Sequence, residues 1–171
     1  MKKSRAITVS ALALLALAAA PKAHAGSATS SFTVSAAVVA SCTISTTTLA
    51  FGNYDPIVAN ATSPLDVNGS VTITCTKGST TTIGLDAGQH AANAVGTTRA
   101  MMVAGPDYLS YEMYQDAGRS TVWGNSGVAL FTPAAAPNKN PRSFNIYGRI
   151  PAGQGSTIGN YTDTVVATVN F

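Results

Sequence analysis

A period of two residues runs through this chain, and it leaves little room for anything but strands. It is sharpest in Phe32–Ile44, FTVSAAVVASCTI. Phe32, Val34, Ala36, Val38, Ala40, Cys42 and Ile44 fall on one side, while Thr, Ser and Ala fill most of the other. Strand side chains point alternately to opposite faces, so this pattern predicts a strand with one apolar face. Similar short runs recur. Val67–Thr76 sets Val71, Ile73 and Cys75 against Thr72, Thr74 and Thr76. Thr80–Asp86 follows after Lys77-Gly78, a pair that reads as a hairpin turn. Further strands are expected at Arg99–Val103, Tyr108–Gln115 (Leu109, Tyr111 and Met113 on one face), Ser120–Trp123, Arg142–Ile150 and Tyr161–Phe171. Gly, Pro and Asn clusters divide them. Long amphipathic helical patterns are missing, so the fold class is all-β, a sandwich or barrel.

The first 25 residues read as a secretory signal peptide. Lys2, Lys3 and Arg5 precede the apolar run Ile7–Ala20, and Ala23-His24-Ala25 is a small-x-small cleavage site. The run is short for a bilayer span. The leader also carries the charge. Of 10 Lys+Arg, four (Lys2, Lys3, Arg5, Lys22) leave with it; six remain against 7 Asp+Glu, a net of −1 in place of +3. A basic footprint for nucleic acid is therefore not expected. Two cysteines on a secretory route, Cys42 and Cys75, both on core-facing positions, predict a disulfide rather than two buried thiols. Its closed loop would stabilise by roughly 4 kcal/mol on the chain-entropy model.

No catalytic constellation emerges. His90 is the one histidine after the leader; Asp86 precedes it by four residues, but that spacing has metal-binding meaning on a helix, not in a strand-then-loop. His90 reads as an exposed loop residue. The carboxylates are scattered, and no nucleophile-elbow or phosphate-cradling pattern occurs. Trp123 reads as core rather than as a ligand platform. Three glycosylation sequons, at Asn60, Asn68 and Asn160, are expected by chance in a Thr-rich chain. No enzyme, cofactor, metal or small-molecule substrate is expected.

Taken together, FGNYDP (51–56), VTITCT (71–76), YEMYQDAGRSTVWG (111–124), YGRIPAGQ (147–154) and GNYTDTVVATVNF (159–171) resemble the spore coat protein U domain family. That family includes subunits of Csu-type archaic chaperone–usher pili. The resemblance implies an incomplete immunoglobulin-like β-sandwich, completed by a donor strand. The partners it implies are a periplasmic chaperone, an outer-membrane usher and neighbouring subunits in a head-to-tail fibre at the cell surface. It implies a division into signal peptide (1–25), donor segment (26–40) and pilin domain (41–171). The donor positions carried over are Phe32, Val34, Ala36 and Val38, with Ala36 smaller than the residue usual there. Val165, Ala167, Val169 and Phe171 alternate along the last strand, which is expected to face the core and wall the acceptor groove. The competing reading is a self-complemented secreted coat protein, whose N-terminal strand fills its own groove.

Overall fold

The computed structural model describes Lys22 and residues 24–171 of the chain. The signal-peptide reading falls mostly outside these residues. Two units are distinguished, Met1–Ala36 and Ala37–Phe171. The described part of the first carries no strand.

The second unit is all-β. Seven strands form: β1 (Cys42–Thr46), β2 (Leu65–Cys75), β3 (Thr82–Leu85), β4 (Arg99–Met102), β5 (Tyr108–Tyr114), β6 (Arg142–Ile150) and β7 (Ala167–Asn170). They make a five-stranded sheet in the order β1-β2-β6-β5-β4 and a two-stranded sheet β3-β7, and every pairing is antiparallel. The long β2–β6 ladder, from Leu65↔Ile150 to Ile73↔Arg142, is the spine. Its inward residues Val71, Ile73, Ile146 and Ile150 meet Ile83 and Leu85 of β3, with Trp123 wholly buried among them. Trp123 is core, as expected, and its indole N–H donates to Ile83 O at 2.9 Å. Cys42 and Cys75 lie opposite each other in register and are bonded.

Four expectations are corrected. The strand at Phe32–Ile44 shrinks to β1, and residues 24–41 hold no ladder. Alternation states which face could be buried, but a strand needs a partner. The Val67–Asp86 hairpin does not form: β2 and β3 belong to different sheets. Gly78 (φ 88°) turns the chain, and Ser79 and Thr81, both buried, carry it across the core edge to pair with β7 instead. Ser120–Trp123 contributes a single bridge, Tyr114↔Val122. In the last segment only Ala167–Asn170 is laddered; Val165, Ala167 and Val169 pack against the core, while Phe171 stays 59% exposed.

Candidate functional site

An open groove runs beside the two-stranded sheet. One wall is Thr46–Pro56, the chain leaving β1; the other is 156–167, the chain approaching β7. The groove consists of two adjoining hollows of about 510 and 620 Å³ that share Leu49, Ala50, Phe51, Met101 and Tyr161. Leu85, Met101, Tyr111, Met113 and Ile146 floor the first. Apolar core side chains thus look out through a slot in the sandwich.

The local sequence explains the first wall. Gly69 of β2 and Gly148 of β6 leave a depression on the inner sheet face. A Cβ on Gly148 would lie 2.8 Å from Leu49 Cδ2 and 2.9 Å from Phe51 Cζ, and one on Gly69 3.0 Å from Leu49 Cδ1. Leu49 and Phe51 fold into that depression, and Phe51 meets the Tyr111 ring edge-on at 6.0 Å. Tyr54 then pins the wall's end, donating its hydroxyl to Pro151 O and accepting from Gln154 N–H. Between Thr47 and Asp55 the backbone is bare: among the described residues, Thr48–Tyr54 make no backbone hydrogen bond. None of these residues is buried, so water can satisfy their backbone groups, and the stretch leaves free N–H and C=O groups beside an apolar slot.

The second wall is held by side chains. Thr162 and Met102 exchange backbone bonds, and Asp86, the residue after β3, supports Val166 by donating its N–H to Val166 O. The Asp86 carboxylate accepts from Val166 N–H and Gly88 N–H. Asp163, its side chain 2% exposed, accepts from Tyr111 Oη–H at 2.7 Å, Gln89 N–H and Thr164 N–H. Burial and this acceptor raise the Tyr111 phenol well above its usual range. Gly88 (φ 72°) is required twice over, since its Cβ would strike the Asp163 carboxylate. His90, read from the sequence as exposed, instead sits 3.4 Å from Asp163, with 19% of its side chain accessible. No group of three metal-ligating side chains occurs among the described residues.

Of the residues expected at the site, Val165 and Ala167 line the groove, and Val169 and Phe171 do not. Phe32, Val34 and Val38 are 85%, 82% and 85% exposed, and Ala36 is exposed too. The alternation flagged neither Asp86, Gly88 nor Asp163. Their signal was available only as a pair of Asp residues, one just after β3 and one shortly before β7. Chemically, the groove can accept an extended segment: it offers unpaired backbone on one wall and apolar sockets beneath.

Residues 28–168 match the family model described as Spore Coat Protein U domain. The chain belongs to the spore coat protein U domain family. Over 171 aligned residues, 93% of each chain, it is 37% identical to Protein U of Myxococcus xanthus. The domain's fold is similar to one in the crystal structure of the CsuC–CsuE chaperone–tip adhesion subunit pre-assembly complex, from archaic chaperone–usher Csu pili of Acinetobacter baumannii. That likeness has a TM-score of 0.58 and 22% identity, over 78% of this chain and 40% of that one. A weaker likeness, TM-score 0.42 at 18% identity over 74% and 79%, is to the E. coli Hda pilus minor tip subunit, HdaB.

Proposed function

We propose that this protein is a structural, non-enzymatic subunit of a surface pilus, exported through the periplasm and polymerised by strand donation for adhesion and biofilm formation. The observation that carries the reading is the bare edge at Thr48–Tyr54 facing the 161–167 wall across an apolar slot. An inserted strand would pair both walls and bury its alternate side chains at once. The donor is the 26–40 segment of a neighbouring copy, with Phe32, Val34, Ala36 and Val38 inward. Burying these side chains contributes about 6–8 kcal/mol as an upper figure. Val165 and Ala167 form the receiving wall. Subunits joined this way do not close on themselves, so they make a fibre. A periplasmic chaperone would fill the slot before export through an usher; the Csu complex similar in fold is itself a chaperone–subunit complex.

A second reading has support from the family's description, Spore Coat Protein U domain: a coat protein whose own N-terminal strand fills its groove. Replacing Val34 by Asp separates the two. An unpaired carboxylate in a dry slot costs several kcal/mol. On the pilin reading fibres vanish from the cell surface while the chaperone-bound subunit melts where it did before. On the coat reading the monomer itself is destabilised. Fibres of normal length would remove the segment from its donor role.

A further inference from the structure

The groove's second wall is thinly bonded along part of its length. Thr162 is bridged to Met102, and the β3–β7 ladder begins only at Ala167. Between them, among the described residues, one backbone bond reaches the wall, from Asp86 N–H to Val166 O. The rest of the attachment runs through the Asp86 and Asp163 carboxylates. His90 stands beside this attachment with its own bonding unfinished. Its Nδ1 lies 3.4 Å from Asp163 Oδ1 and is sealed from solvent, yet it has no hydrogen-bond partner among the described residues. A buried polar atom without a partner is costly, and a fold that keeps one calls for a reason. The other ring nitrogen, Nε2, is not enclosed in this way, and 19% of the side chain is accessible, so a proton can enter there from water.

The charges around the ring decide what that proton does. Asp163 faces Nδ1 from the wall. From β5 come Tyr108, its ring centroid 6.0 Å from that of the imidazole, and Tyr111, whose hydroxyl is committed to Asp163. Asp86, at the start of the loop that carries His90, is bonded to Gly88 N–H and Val166 N–H. Arg99 comes from β4, but that cation is matched by Glu112 of β5 and turned to Leu85 O, Asp86 O and Trp123 O. Asp86 and Asp163 are therefore left as the uncompensated charges among these groups.

We infer that His90 is a positioning residue of the strand-binding groove: with its ring protonated it clamps Asp163 and holds the 161–167 wall in the shape that takes a strand. The inference rests on the strand-acceptor reading and adds a regulator to that same site. A proton on Nε2 turns Nδ1–H into a charge-assisted donor, roughly twice as strong as a neutral one. Before a strand binds, the wall has no partner on its open side, and displaced arrangements compete with the one described. An inserted strand and a protonated His90 select the same arrangement, which couples them. The sign follows from that coupling. A proton held more tightly with the strand in place makes strand binding stronger as pH falls. Histidine is the side chain that ordinarily changes charge between about pH 5 and pH 8, and His90 is the one histidine past residue 25.

The test measures how tightly the purified disulfide-bonded protein binds a synthetic peptide of residues 31–41, its ends blocked, between about pH 5.5 and pH 8. The peptide, SFTVSAAVVAS, has no titratable side chain, so any pH dependence belongs to the protein. Affinity should be about fivefold higher at the acid end, the low end for coupled sites. His90→Asn sets an amide N–H where Nδ1–H stands but takes up no proton. It should bind the peptide as the unaltered protein does at the alkaline end, and equally at both ends. A merely structural His90 would lower the thermal midpoint on substitution and leave the pH profile of binding as it was. Level affinity across this range in the unaltered protein, or a pH dependence that survives His90→Asn, would overturn the inference and leave the groove reading intact. Failure of the peptide to bind at every pH would overturn both.

Discussion

The two edges of the β3-β7 sheet have opposite fates. On the β3 edge almost every group is engaged. Ile83 exchanges both backbone bonds with Phe131, and Leu85 N–H donates to Gly124 O. The Trp123 indole bonds Ile83 O, and the Arg99 guanidinium reaches Leu85 O, Asp86 O and Trp123 O. On the β7 side nothing comparable follows. The wall at 161–166 is braced by Asp86 and Asp163, and the facing Thr48–Tyr54 backbone is bare among the described residues. The same small sheet is therefore bonded along its β3 edge and, on the proposed reading, open to a strand along its β7 edge. The difference lies in who supplies the third strand: irregular chain at 123–131 on one side, and on the proposed reading another molecule on the other.

The largest way to break this contrast is through the closed edge. Arg99 and Glu112 are both buried, 1% and 3% exposed at the side chain, and Glu112 also accepts from Thr98. Glu112→Ala leaves a buried guanidinium charge unpaired and should cost about 3–5 kcal/mol, read as a lowered thermal midpoint. A midpoint moved by less than the spread of exposed substitutions would show that the pair holds nothing.

A smaller and more local effect is expected from the open edge. Gly88→Ala meets both a left-handed φ and the Asp163 carboxylate, a strain of order 1–3 kcal/mol. It should displace the 161–166 wall, so the 31–41 peptide should bind more weakly while the Cys42–Cys75 bridge and β2–β6 ladder persist. Unchanged peptide binding with a lowered midpoint would place Gly88 in general stability and not in the groove.

The smallest effect concerns the loop beside the larger hollow. Thr157 N–H, with the Thr157 and Tyr161 hydroxyls, brings the folded pKa of Asp107 down to about 2, below the ordinary carboxylate value. A depressed acid contributes stability that is present above its unfolded pKa, near pH 4, and lost as pH falls through the folded value. The loop at 156–161 should therefore loosen between about pH 4 and pH 2, read by hydrogen exchange at Thr157 and neighbouring amides. In Asp107→Asn this pH dependence should disappear, the loop being looser at neutral pH already.

Much of the fold could be read from the residues. The sequence placed β2, β4, β5 and β6 within a few positions: β2 and β6 alternate in burial as a period of two records, while β4 and β5, buried on both faces in part, were bounded by the turn residues around them. The cysteines and Trp123 behaved as their chemistry requires. The hairpin after β2 was misread because turn residues announce a reversal, not the sheet in which the chain continues. The groove was half legible: Val165 and Ala167 were marked, since they alternate. Gly69, Gly148, Gly88 and Asp163 were not, because their role is to make or fill space against residues far away in sequence.

The sequence by itself determined that the chain makes strands, which faces they bury, that Cys42 and Cys75 meet, and that Phe32–Val38 has an apolar edge. Such properties are local, set by side-chain alternation and by covalent chemistry. Only the tertiary structure decided that β3 pairs with β7, that Phe171 stays in solvent, that His90 lies against Asp163, and that a bare edge faces a braced wall. Those outcomes depend on which backbone groups find partners across long stretches of chain, and pairing over such distances is settled by the packing of the whole sandwich.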